Sequence, residues 1–113
     1  IGGFMDTVDF NPDAPIDSRI SAGGNDIFIS KFDTLGNFIW TKNLGGPSLE
    51  TAVSIALDSF GHIYVGGVYH STIDFDPGPA VFNLNAVDSG DIFILKLDTS
   101  GQFIWARHAA AGL

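Results

Sequence analysis

Bulky and small side chains alternate from Thr51 to Leu57, with Val53, Ile55 and Leu57 on one parity and Ala52, Ser54 and Ala56 on the other. A period of two predicts a strand with one bulky and one small face, the small one letting a second sheet approach closely. Further strands are predicted at His62–Val68, Asp91–Leu97 and Gln102–Arg107, and at Ile1–Met5, Asp26–Phe32 and Asn37–Lys42. In the His62–Val68 run, Gly66-Gly67 permits a bend or close backbone packing. No stretch keeps a 3.6-residue period for three turns, so no long helix is expected.

Between these runs stand Asp33-Thr34-Leu35-Gly36, Asp58-Ser59-Phe60-Gly61 and Asp98-Thr99-Ser100-Gly101. An Asp that opens a type I turn can accept backbone N–H groups, and a Gly in the left-handed position closes the hairpin without a Cβ clash. All three Asp are therefore expected to be structural.

The chain repeats itself. Asp26 to Trp40 returns as Asp91 to Trp105, and over 26–42 against 91–107 identity is 11 of 17 positions. Asp9-Phe10-Asn11-Pro12 maps onto Asp74-Phe75-Asp76-Pro77 in the same register, and one inserted residue is expected before Gly2-Gly3 falls on Gly66-Gly67. The chain thus divides into residues 1–46, a first unit lacking its opening strand, and residues 47–113, a second complete unit. Four antiparallel strands per unit, tandemly repeated with short hairpins and one longer loop, predict an all-β fold of β-propeller blades, about one and three-quarter blades in this chain. The loops Tyr69–Gly90 and Asp6–Asn25 are where blade-specific function is expected.

The pattern carried by Val65-Gly66-Gly67, Thr72-Ile73-Asp74-Phe75-Asp76-Pro77-Gly78, Gly90-Asp91-Ile92-Phe93, Lys96, Asp98, Gly101 and Trp105-Ala106 resembles the bacterial seven-bladed β-propeller repeats of large secreted and surface proteins. The resemblance implies an extracellular or cell-surface location but no single activity. The first unit departs from it, reading Asp9-Phe10-Asn11-Pro12-Asp13 and lacking the opening strand.

Two blades cannot close a ring, since propellers use typically 4–8. The expected partners are therefore further blades of the same longer chain or other copies of this one. The mid-strand opening Ile1-Gly2-Gly3 favours a piece of a longer chain; a cyclic homo-oligomer and an open solenoid are the alternatives.

Composition narrows the function classes. The 13 acids against 5 bases give a net charge of -8, and scattered bases do not make a nucleic-acid surface. No apolar run reaches the ~18 residues of a membrane span. The absence of Cys removes disulfides, thiolate metal sites and thiol catalysis, without fixing the compartment.

Candidate chemistry is confined to the Asp-rich loops. Asp9, Asn11 and Asp13 lie at alternate positions, and Asp74 and Asp76 repeat the start of that spacing. Alternate oxygens on a tight loop are how Ca²⁺ is held, but the Gly bend and distal bidentate acid of a full calcium loop are missing. The competing reading is an Asx-type turn in which Phe10 and Phe75 plug the gap between blades. Asp26 and Asp91 are expected to cap loop amides, and a contact with Lys31 and Lys96 across the sheet is open to them. His62, His70 and His108 lack metal-ligand spacing, and Trp40 and Trp105 read as packing residues. The leading function is a structural and interaction scaffold whose blades display loops to a protein or glycan ligand. The alternatives are a carbohydrate-binding module, using Phe4, Tyr69, Phe82 and Trp105, or a calcium-binding one, and part of a propeller hydrolase or lyase.

Overall fold

The computed structural model describes residues 1–109 except 14, 49, 88 and 89. In chain order the strands are β1 (Gly2–Phe4), β2 (Thr7–Asp9), β3 (Ser18–Ile20), β4 (Asp26–Phe32), β5 (Phe38–Leu44), β6 (Thr51–Leu57), β7 (Ile63–Tyr69), β8 (Thr72–Asp74), β9 (Asn83–Asn85), β10 (Asp91–Leu97) and β11 (Phe103–Ala109). All pairings are antiparallel. The described residues contain no helix.

Two main sheets form, a three-stranded one ordered β1-β4-β5 and a four-stranded one ordered β6-β7-β10-β11. This is the arrangement of partial propeller blades, the first without a counterpart of β6. The loops after β1 and β7 are not plain loops, as the sequence suggested: each folds into a two-stranded ribbon, β2-β3 and β8-β9.

The pairing also corrects the repeat alignment. Phe4 pairs with Asp26 as Tyr69 pairs with Asp91, and Gly2 with Phe28 as Gly67 with Phe93. The offset of 65 therefore runs unbroken to the first strand, and Gly2-Gly3 falls on Gly67-Val68 with no insertion. Backbone conformation agrees: Asp6 (φ 58°) and Ser71 (φ 55°), one offset apart, are the described non-glycine residues with positive φ.

Each Asp-x-x-Gly turn forms as its chemistry demands. Asp33 Oδ1 accepts the amides of Leu35 and Asn37, Asp58 Oδ1 those of Phe60 and His62, and Asp98 Oδ1 those of Ser100 and Gln102, at 2.8–2.9 Å. Gly36, Gly61 and Gly101 take φ of 84°, 83° and 78°. Gly36 has open space where a Cβ would stand, whereas a Cβ on Gly101 would sit 3.1 Å from the Trp40 ring and Lys42 Cγ. Urea unfolding should therefore show Gly36→Ala costing about 1 kcal/mol from backbone strain alone, and Gly101→Ala costing clearly more. Equal losses would mean that Trp40 does not press on the second unit's hairpin.

The sheets stack face to face. The front of the second sheet carries Tyr69, Phe93, Leu95 and Leu97 with Ile63 and Val65, all buried in one core with Ile27, Ile29 and Leu44 from the back of the first. Such burial, at roughly 25 cal/mol per Å² of apolar surface, holds the two units together. At the rim Lys31 Nζ donates to the Thr99 carbonyl at 3.1 Å. That contact replaces the Asp–Lys pairing the sequence left open, and Lys96 lies instead over the Tyr64 ring, 5.2 Å from its centre. Ile55 and Leu57 are exposed, because they line an open groove beside Ile29, Lys31 and Trp40 of the first sheet.

Candidate functional site

The Asp-rich loops obey one hydrogen-bond plan. Asp74 Oδ1 accepts the amides of Asp76 (3.0 Å) and Phe82 (2.8 Å); Asp9 Oδ1 accepts those of Asn11 (3.1 Å) and Asp17 (2.9 Å). One step on, Asp76 Oδ1 takes the Gly78 amide and Asn11 Oδ1 the Asp13 amide. Asn11 Nδ2 also donates to the Pro15 carbonyl. The leading oxygens thus close Asx turns and fix the ribbons. Asp9 and Asp13 are exposed, and Asn11 is buried by its turn. Among the described residues no group of three or more His, Asp or Glu converges in a way that would hold a metal ion.

The aromatic of each loop packs on rings of its own sheet, and Phe75 is also buried in the core shared by the two sheets, whereas Phe10 is half-buried and lies outside that core. Phe75 meets Tyr69 and Phe93 with ring centres 5.2 and 4.9 Å apart, and Phe10 meets Phe4 and Phe28 at 5.1 and 4.7 Å. Of the four aromatics proposed for sugar stacking, Phe4 and Tyr69 are buried. Phe82 lies against Phe103 at 4.9 Å, and Trp105 is half-buried between Tyr64 and Arg107.

Asp26 and Asp91 do cap loop amides, from Ala22 at 2.6 Å and Val87 at 3.1 Å. Beyond this the two units diverge. In the second, Tyr69 OH lies 2.6 Å from His108 Nδ1, and Asp91 Oδ2 lies 3.8 Å from the same nitrogen. Burial and then the Asp91 charge push the Tyr69 phenol above its ordinary pKa. The first unit has Phe4 and Asn43 at the equivalent positions and so cannot build this cluster.

In the first unit Asp26 instead meets Glu50, from the segment entering the second sheet. The Glu50 amide donates to the Asn25 carbonyl, and Gly46 N–H reaches Glu50 Oε2 at 3.4 Å. Both side chains are fully buried, and Asp26 Oδ1 and Glu50 Oε1 have no hydrogen-bond partner among the described residues. Gly45 makes this possible, since a Cβ there would run into the Asp26 carboxylate. Burial raises the Asp26 pKa against the Ala22 amide. It pushes Glu50 up to about 7, with the Gly46 amide and the His70 charge opposing and the Asp26 charge assisting. The Asp58 carboxylate shows the opposite outcome. Desolvation is outweighed by the amides of His62 and Phe60 and the side chains of His62 and Tyr64, which hold it at about 2.

The sequence reading missed both clusters because their members are distant in the chain. Two signals were present: Tyr69 and His108 occupy positions where the repeats differ, and Glu50 is the one Glu among 12 Asp.

No family model matches the chain, and no solved structure matches it. An uncharacterised WD repeat-containing protein of Acanthamoeba polyphaga mimivirus is 29% identical over 90 residues, covering 77% of this chain and 6% of its own length. The regulatory protein FlaEY of Caulobacter vibrioides is 34% identical over 83 residues, covering 74% of this chain and 9% of its own. The chain therefore spans less than a tenth of either relative. A likeness to a WD repeat protein hints at a propeller-type repeat, in keeping with the stacked three- and four-stranded antiparallel sheets.

Proposed function

We propose that the chain is a protein-interaction scaffold, a propeller-type segment of a larger secreted or cell-surface protein whose rigid blades display their ribbons and hairpins. The observation that carries this reading is how the repeated polar groups are used. Asp9, Asp33, Asp58, Asp74 and Asp98 each spend an oxygen on two backbone amides of a turn, leaving the repeat to build and hold loops. The likeness to a WD repeat protein supports interaction, and the extracellular location rests on the resemblance of the repeat. Catalysis has no part in this reading.

A scaffold tolerates change at a displayed tip. Replacing the exposed segment 78–81 by Gly and Ser should alter stability by no more than about 0.5 kcal/mol. Calcium in the millimolar range should leave the melting temperature of the unaltered chain in place. A melting temperature that climbs with calcium, as a cation bound only by the folded state requires, would replace the scaffold with a calcium-binding module at Asp9, Asn11, Asp13, Asp74 and Asp76.

A further inference from the structure

The joint between the two units is tightly packed, yet its acids are only half satisfied. After β5 the chain runs through Gly45, Gly46, Pro47 and Ser48, wedged between a loop of the first unit and the start of the second ribbon. On the first side, a Cβ at Gly23 would stand 2.5 Å from the Gly46 carbonyl oxygen and 2.7 Å from Pro47 Cα. The Glu50 amide donates to the Asn25 carbonyl there at 3.0 Å. On the second side, the Ser71 hydroxyl donates to that of Ser48 at 3.1 Å, and the Thr72 carbonyl oxygen is 2.7 Å from where a Gly46 Cβ would stand.

Asp26 and Glu50 are buried in this joint. Asp26 Oδ2 accepts the Ala22 amide at 2.6 Å, and Glu50 Oε2 the Gly46 amide at a long 3.4 Å. The other oxygen of each accepts nothing among the described residues, and no ion pair reaches either group. A neutral carboxyl buried in this way lacks a hydrogen bond; a buried carboxylate lacks most of its solvation, and two of them also repel. The remaining titratable group that acts on Glu50 is His70, whose charge favours the ionised form.

We propose that Asp26 and Glu50 form a proton-operated latch on the joint. With the proton bound, residues 45–48 and Glu50 stay seated between the loop and the ribbon; when the pair ionises they come away and admit water, while both sheets remain folded. Hydrating the two carboxylates breaks only the contacts of Glu50 with Asn25 and Gly46, and of Ser48 with Ser71. The apolar core and the strand ladders are spared, so this opening costs less than global unfolding. Burial pushes Glu50 up to about 7 and raises Asp26 in the closed joint. The open joint restores ordinary values and releases the proton, so opening is favoured as pH rises from about 4.5 and levels off above about 7.

Hydrogen exchange of single backbone amides, corrected for the intrinsic rise of exchange with pH, tests this on the whole chain. The Gly46 and Glu50 amides should lose on the order of tenfold or more in protection between pH 5.5 and 8. At pH 8 their exchange should ignore urea well below the unfolding transition, because a local opening exposes little surface, whereas that of the β10 amides should accelerate. Glu50→Gln combined with Asp26→Asn keeps the acceptors and removes both charges, so protection at these two positions should no longer depend on pH. Circular dichroism checks that this variant folds, and the parent decides the matter alone if it does not. Protection that is independent of pH in the parent would overturn the latch. So would a urea response at pH 8 equal to that of β10, which would mean that the joint opens only when the whole chain unfolds, or a pH-dependent loss that persists in the folded double variant. None of these outcomes touches the scaffold reading.

Discussion

Phe75→Ala should cost about 3–5 kcal/mol in urea unfolding, the usual loss for a buried aromatic replaced by Ala, while Phe10→Ala should cost roughly half as much. Each ring follows an Asp and stands two residues before a Pro, and each makes one edge-on and one tilted contact with two aromatics of its own sheet. They differ in cover. Phe75 is fully buried within the core that joins both sheets, whereas Phe10 is half-buried on a front that no sheet of the described residues covers. A cavity opened under Phe75 lies in close-packed surroundings that relax only partly, whereas water already reaches the edge of Phe10. Equal losses would show that the neighbouring sheet adds nothing to the ring's environment. The gap between the two variants therefore reports the contribution of blade stacking, measured within one chain.

The contrast also shows what the sequence could and could not disclose. β4, β6 and β10 have the bounds that alternation and repetition predict, and the three Asp-x-x-Gly hairpins form atom for atom, because each signal is local and the chemistry needs only neighbours. The ribbons were not legible. Thr7–Asp9 and Thr72–Asp74 are three residues long, too short for a period of two to stand out, and they are held by turn geometry and cross-strand pairing. Which face of a strand is covered was legible only in part. Ile27 and Ile92 occur in identical D-I-F-I strings and have opposite fates, since covering depends on the neighbouring sheet and not on the string. The buried acids were the least accessible feature. Asp26 and Glu50 meet because one unit's loop receives the segment leading into the next, a contact that no motif spacing encodes.

Glu50 should make the protein lose stability as pH rises through the range where most proteins are insensitive to it. Its carboxyl has an ordinary pKa of 4.5 and is pushed up to about 7 by burial in the folded chain. Between those values the folded state holds a proton that the unfolded state has released. Stability therefore falls with rising pH, starting near 4.5 and levelling off above about 7. The shift corresponds to roughly 3 kcal/mol, or on the order of 10 °C in melting temperature for a domain of this size. The raised Asp26 adds to the same slope. Asp58, held at about 2, acts in the opposite direction, giving stability that is present above about 4 and lost as pH falls toward 2, and the lowered Asp33 carboxyl acts with it. The melting temperature should thus peak at mildly acidic pH. Glu50→Gln retains a side-chain oxygen for the Gly46 amide and removes the titrating carboxyl, so its melting temperature should fall less steeply than the parent's from pH 4.5 to 7.5, with only the Asp26 contribution left, and exceed that of the parent at pH 8. A parent chain whose stability is flat or rising over this interval would show that Glu50 is ionised in the folded state, its charge compensated by a group such as His70.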